Sequence, residues 1–572
     1  MKRYAFSHNI IEDCRGPSGL AMTFRAAFLR KMSVLVVLLV LLIFCPYIRA
    51  ELKGGCAKVN ITPPLGIPLI GSYGKPSDDI LDELYAKALV LDDGNNTLVI
   101  VSCDLLYTPL EEIAGPARKI ITEKTGIPER NILICATHTH SGPEVFTKSK
   151  FRTPGDTAPP PIDYPYLDTL VKKIAVSALI AYKDMRQVKI GAAYGQAPEI
   201  VYNRRPKNKD GLVKMAFTLP PEVRATRKVV TEPDGQVRTT FVLPDDKTEW
   251  KFGPIDPEVR VLKIEGMDGE TLASLVNFGC HPVCIYPYLS TTISADYPAF
   301  VTSVVEGAEG GLCLFALGLA GDAVPLDRGV LPRRQIGRAI GGEAVRRLQF
   351  VTTTGDVTLS AIKKEVKFPT KRPTADKDAD NDKIPEPVTT EIQVMRLGDI
   401  YILGLPGEVL VEAGLEIKKR AGLDKLFIVT LSNDAIGYVC HSAAYDEGGY
   451  EPTGATNLAK GAGEIMIAQS LELIERIKQE QEKPSPCGEG ILPLFFTAGK
   501  MPARHKAGTA SPRTAIGMRL PLNAGKACPE LVEGMPAGRA GETPATRLIY
   551  AAGSNAVNPS REAIYFIYFL CR

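Results

Sequence analysis

His138-Thr139-His140-Ser141-Gly142-Pro143 sets two of this chain's six histidines within three positions of each other; the others are His8, His281, His441 and His505. Imidazole is the commonest biological ligand for zinc, and an open zinc site takes about three protein ligands plus a water. An H-x-H pair also arises as ordinary turn polarity. The pair therefore indicates metal chemistry only if other donors converge on it.

The elements that must position such donors can be read from the flanking residues. Asn131-Ile132-Leu133-Ile134-Cys135-Ala136-Thr137 reads as a short buried strand. Gly142-Pro143 breaks it, which leaves both imidazoles on a loop at its carboxyl end, and alternation along an extended backbone points them to one side. Leu275-Val276-Asn277-Phe278-Gly279-Cys280-His281-Pro282 is a second apolar strand ending in histidine, with proline fixing the backbone beyond it. A lone histidine there is more often a satisfied structural residue than a ligand, and Cys280 and Cys284 leave a Cys-His-Cys metal set conceivable. Ile402-Leu403-Gly404-Leu405-Pro406-Gly407-Glu408 predicts a strand, a tight turn and a carboxylate opening a helix, where it complements the dipole. Glu412 and Glu416 read as solvated or structural.

Beyond these segments, strand-like and helix-like stretches alternate, which favours an α/β class: mixed β-sheets flanked by helices in a single large domain. Strands are predicted over 98–106, 259–264 and 273–278. Helices are predicted over 109–125, 164–182, 333–348, 409–419 and 458–479. Two polar insertions, 206–254 and 369–387, read as surface loops.

The ends differ from this core. Val34-Leu35-Val36-Val37-Leu38-Leu39-Val40-Leu41-Leu42-Ile43-Phe44 follows Arg25, Arg30 and Lys31 and precedes Ala50, the pattern of a signal peptide, with Met22 and Met32 as alternative starts. It is short for a membrane span, although an uncleaved anchor is the alternative. Residues 1–50 are thus read as a signal peptide or anchor with a leader, and 51–484 as the catalytic domain. Residues 485–572, rich in Gly, Ala, Pro and Arg without periodicity, are read as a disordered or spurious tail. The ends also carry the apparent basicity. Residues 1–49 hold seven basic and two acidic side chains, and residues 485–572 hold ten and five, so an overall charge of +3 becomes −7 for the remainder. An acidic core without clustered Lys, Arg and aromatics argues against nucleic acid. Of twelve cysteines, the seven in the core (Cys56, Cys103, Cys135, Cys280, Cys284, Cys313, Cys440) form no C-x-x-C pair and no disulfide framework.

Ala136-Thr137-His138-Thr139-His140-Ser141-Gly142-Pro143 resembles the zinc-site segment of the neutral/alkaline non-lysosomal ceramidases. Further stretches resemble that family in the same order. They are Ala57-Lys58-Val59-Asn60-Ile61-Thr62-Pro63-Pro64, Leu84-Tyr85-Ala86-Lys87-Ala88-Leu89-Val90-Leu91, Asn203-Arg204, Asn277-Phe278-Gly279-Cys280-His281-Pro282, Gly321-Asp322, Pro406-Gly407-Glu408, and Gly437-Tyr438-Val439 running on to Tyr450. The resemblance spans about residues 54 to 480. It implies an exported, zinc-dependent amidohydrolase acting on an N-acyl, sphingolipid-like substrate, with Zn2+ held by His138, His281, Glu408 and Tyr438. It further implies His140 as proton shuttle, Tyr450 and Arg204 as stabilisers of the oxyanion, and Asp322 as a residue that orients a histidine or binds a polar group of the substrate. The expected partners are a small-molecule or lipid substrate and a membrane in peripheral contact.

Two departures qualify the resemblance. Where the family has a serine after Gly-Asp, this chain has Val324, which cannot donate a hydrogen bond or act as a nucleophile. The family's carboxyl-terminal immunoglobulin-like module has no counterpart after residue 484. A catalytically silent lipid- or carbohydrate-binding module on the same scaffold is therefore the alternative, and stoichiometric metal discriminates the two. A serine hydrolase is poorly supported, because no G-x-S-x-G elbow is present.

Overall fold

The computed structural model describes residues 51–482 apart from 73, 146–163, 244–249 and 372–385. The chain divides into two units, Met1–Gly490 and Ile491–Arg572. The readings of residues 1–50 and 485–572 lie outside the described residues, as does most of the second polar insertion.

Mixed sheets flanked by helices build the first unit, as the alternating pattern predicts. An eight-stranded sheet runs in the order Leu312–Leu317, Thr271–Phe278, Glu258–Gly266, Arg186–Gln196, Lys53–Asn60, Tyr85–Asp92, Thr97–Cys103, Ile132–Ala136. Its two outermost pairings are parallel and the ladders between them antiparallel. A four-stranded sheet follows the order Leu359–Phe368, Val388–Leu397, Ile400–Gly404, Leu426–Val429. Leu98, Ile100, Leu133, Leu275 and Leu314 of the larger sheet and Leu359, Met395, Ile402 and Phe427 of the smaller share one apolar layer. Alternate residues of the same strands, Val99, Val101, Ile132 and Ile134, join the helices Gly115–Thr125 and Tyr164–Lys183 in a second layer. Strands covered on both faces read as continuous apolar runs, which is why 98–106 and 131–137 were legible.

Several predictions shift. The helix expected over 409–419 spans Val411–Ala421, because Glu408–Val409 is instead a two-residue strand paired in parallel with Tyr438–Val439. Glu408 therefore opens no helix. The insertion 206–254 is more than a surface loop. It holds an antiparallel hairpin, Lys228–Thr231 with Val237–Thr240. Leu219, Val223, Phe241 and Phe252 from this segment form an apolar cluster with Tyr202 and Val324.

The strand Arg186–Gln196, in the middle of the large sheet, has little sequence signature because it carries Gly191 and Gly195. A Cβ at Gly191 would lie 2.2 Å from the Thr352 carbonyl oxygen, so close backbone packing displaced the β-branched residues that mark strands.

Candidate metal centre

Each donor reaches the centre from a different element. The strand Ile132–Ala136 ends two residues before His138, whose backbone takes φ 71°. That left-handed conformation is uncommon for a non-glycine residue and is held by its neighbours. His138 N donates to Leu105 O and Thr137 N to Cys103 O. The two imidazoles converge, ring centroids 4.9 Å apart, through this turned loop and not through alternation along an extended strand as the sequence reading assumed. His281 lies three residues beyond the strand Thr271–Phe278, with its backbone N–H on Ala323 O.

Tyr438 arrives on a loop stitched to the outer edge of the His138 strand. Ala136 N donates to Leu431 O, Asn433 N to Ile134 O, and Ile134 N to Asn433 Oδ1. Thr108 Oγ1 bonds both Ile134 O and Leu431 O. The chain leaving the smaller sheet's last strand, Leu426–Val429, thus runs to the centre along the edge of the larger sheet.

At the centre, His138 Nε2 and His281 Nε2 lie 3.2 and 3.1 Å from the same oxygen, Glu408 Oε2. The opposite ring nitrogens are committed: Nδ1 of His138 to Leu106 O at 3.0 Å, and Nδ1 of His281 to Ala320 O. A backbone carbonyl only accepts, so each Nδ1 bears the hydrogen and a neutral ring presents a bare lone pair at Nε2. Burial and the neighbouring Arg204 charge push the His281 imidazole down to about 4, which keeps it neutral near pH 7. Burial, then His138 and His281, hold His140 well below the ordinary imidazole value. Two lone pairs facing a carboxylate oxygen repel unless a cation lies between them. His138 Nε2, His140 Nε2 and Glu408 Oε2 are all enclosed without a hydrogen-bond partner among the described residues. Water or an ion satisfies such orphaned acceptors, and the ligating atoms of His138, His140 and His281 all lie within 4.8 Å of one another, a cluster that could hold a metal ion. This donor set fits a divalent metal of the zinc type.

Tyr438 Oη is 3.4 Å from His281 Nε2 and accepts from Arg204 Nη2 at 3.1 Å. Burial and the Glu408 carboxylate raise the phenol well above its usual range; only a cation beside it would make it a strong ligand. Arg204 is buried and donates through Nε to Glu451 Oε1 at 2.8 Å and through Nη2 to Gly321 O at 2.9 Å. Tyr450 is 45% exposed with its ring 5.8 Å from that of Tyr438, so it stands between the centre and solvent. Asp322 lies behind the centre: Oδ1 accepts from Val411 N at 2.9 Å and Oδ2 from Asn203 Nδ2 at 2.8 Å. Its carboxylate holds the loops that carry Arg204 and Glu408. Cys280 and Cys284 are buried in the apolar core, away from the convergent nitrogens, which removes the Cys-His-Cys arrangement.

The fold has solved counterparts. It matches a neutral ceramidase from Pseudomonas aeruginosa with a TM-score of 0.58 and 16% identity, covering 75% of each chain. It also matches a ceramidase complexed with C2, with a TM-score of 0.57 and 17% identity, over 75% of this chain and 76% of that one. The fold is ceramidase-like. At such identities the likeness is one of fold, and no family model matches the chain.

The sequence reading did not single out three residues of the centre. Tyr107 Oη donates to Glu408 Oε1 at 2.8 Å. Glu451 is fully buried between Arg204 and Arg205, whose Nη1 reaches Glu451 Oε2 at 2.6 Å. The adjacent pair Arg204-Arg205 was the available signal, since two buried guanidinium groups require a buried carboxylate somewhere. Nothing local marks Tyr107.

Proposed function

We propose that this chain is an exported, zinc-dependent amidohydrolase of the ceramidase type, cleaving an N-acyl, sphingolipid-like substrate with activated water. The observation that carries this reading is the pair of bare imidazole nitrogens, on His138 and His281, aimed at one carboxylate oxygen of Glu408. The ceramidase-like fold supports the choice of an amide.

His138, His281 and Glu408 would hold the ion, with Tyr438 as the fourth donor. Zinc bound there supplies a water whose pKa falls toward about 7 and a Lewis acid for the carbonyl. His140 provides a neutral, enclosed Nε2 beside the centre and takes the proton of the attacking water, then returns it to the leaving amine. Arg204 holds the Tyr438 oxygen, and Tyr450 supplies a hydroxyl where negative charge develops on the carbonyl oxygen. Phe217, 40% exposed and packed edge-on to Tyr450 at 5.6 Å, adds apolar surface at the mouth that suits an acyl chain. The amino-terminal apolar run of residues 34–44 supports export and, with this rim, action at a lipid surface.

Val324 does not disable this route, because no step needs a hydroxyl at that position. Metal analysis of the purified full-length protein together with a screen of N-acyl and O-acyl substrates tests the proposal. One equivalent of zinc with amide turnover is expected. Metal-free protein that turns over nothing would return the chain to the binding-module reading.

A further inference from the structure

We infer that Tyr107 is a positioning residue that restricts Glu408 to one metal-facing oxygen and so keeps a coordination position open for water. This inference rests on the metal reading above. The two oxygens of Glu408 have different surroundings: Oε2 faces both imidazole nitrogens, whereas Oε1 accepts the Tyr107 hydroxyl at 2.8 Å. The Tyr107 ring lies 5.6 Å from the His138 ring, tilted by 48°, so it packs beside one proposed ligand while bonding another. Tyr107 belongs to the loop after the strand Thr97–Cys103, and that loop also supplies Leu106 O to His138 Nδ1. One short segment therefore sets the ring orientation of a histidine and the rotation of the carboxylate opposite it.

The consequence is chemical. A carboxylate free to turn can give a metal both oxygens and thereby fill the place a catalytic site leaves for water. A donor fixed on Oε1 opposes that turn. Groups that hydrogen-bond a ligand from outside commonly change affinity or activity by about 10- to 100-fold.

The test uses full-length protein loaded with cobalt(II), whose visible absorption weakens as coordination number rises. Wild-type protein is expected to show the strong bands of a low-coordinate ion. Tyr107→Phe keeps the ring but loses the donor, and is expected to weaken those bands while lowering kcat by about 10- to 100-fold with little change in KM. Identical spectra for the two proteins would overturn the role of Tyr107 and leave the metal reading standing. A wild-type chain that takes up no cobalt would overturn both. Should Tyr107→Phe fail to fold, the infrared difference spectrum of the wild type on cobalt addition decides. Wide splitting of the carboxylate stretches is expected for single-oxygen ligation, and the narrow splitting of a chelating carboxylate would refute the inference.

Discussion

Glu408 and Tyr438 stand opposite each other in register across a two-residue parallel strand pair. Glu408 N donates to Gly437 O at 2.9 Å and Leu410 N to Val439 O at 3.2 Å. Backbone hydrogen bonds thus place two oxygen donors beside each other before either side chain chooses a rotamer. Sites built on paired backbone hold geometry better than sites on free loops.

Removing a ligand should remove the ion. His138→Ala, His281→Ala and Glu408→Ala are each expected to lose most of the bound zinc, measured by elemental analysis of dialysed protein. His140→Ala is expected to keep zinc and lose about 10²- to 10⁴-fold in kcat, the range for a general base. Equal zinc loss in all four variants would make His140 a ligand, which its place within reach of both other histidines allows.

The buried Arg204–Glu451–Arg205 group should be costly to break from the carboxylate side. Glu451→Ala leaves two guanidinium groups buried without their carboxylate, and a loss of about 3–5 kcal/mol is expected in urea unfolding. Glu451→Gln keeps the shape and should lose less. A change below about 1 kcal/mol for Glu451→Ala would show that these charges are not interdependent.

Placing at position 324 the serine found in the ceramidases that the sequence resembles should not help. Val324 is fully buried and clusters with Tyr202, Phe241 and Phe252, so Val324→Ser would put a hydroxyl among apolar side chains. A cost of about 1–3 kcal/mol follows, with no gain in amide turnover expected. A faster variant of undiminished stability would contradict the packing argument.

The Glu412–His441 pair, 2.8 Å apart, should make stability depend on pH. Burial opposes both charges. His441 outweighs it at Glu412, lowering that carboxyl to about 2, and Glu412 outweighs it at His441, raising the imidazole. The Glu412 contribution is fully present above its ordinary value of 4.5 and fades as pH falls toward about 2. The His441 contribution is fully present below 6.5 and is lost as pH rises through the raised value. The stability difference between wild type and His441→Gln, from denaturant titrations, should therefore be largest between pH 4.5 and 6.5 and shrink in alkali. A difference independent of pH would assign His441 to packing alone.

Sequence by itself determined the elements whose burial is two-sided and the residue types that end them. The run before Thr137 had to be a buried strand because five consecutive residues of it are covered on both faces. The helix pattern ending at Gly126 held because that glycine takes the left-handed cap, φ 77°. The His138/His140 pair, marked by type and spacing, and His281, Glu408, Tyr438 and Arg204, implied by the ordered resemblance, come together in one place. Tertiary structure alone decided how they meet. The His138 loop turns through a left-handed residue, Glu408 pairs with Tyr438 instead of starting a helix, and the 431–433 segment lies along a strand edge. The first two join groups about 30 positions apart, and the last depends on partners about 300 positions away, as Ile134 has in Asn433. The same distance hid Tyr107, whose hydroxyl meets Glu408 across 301 positions. Local periodicity reports which face of an element is apolar, and it carries no information about which distant polar group that face will meet.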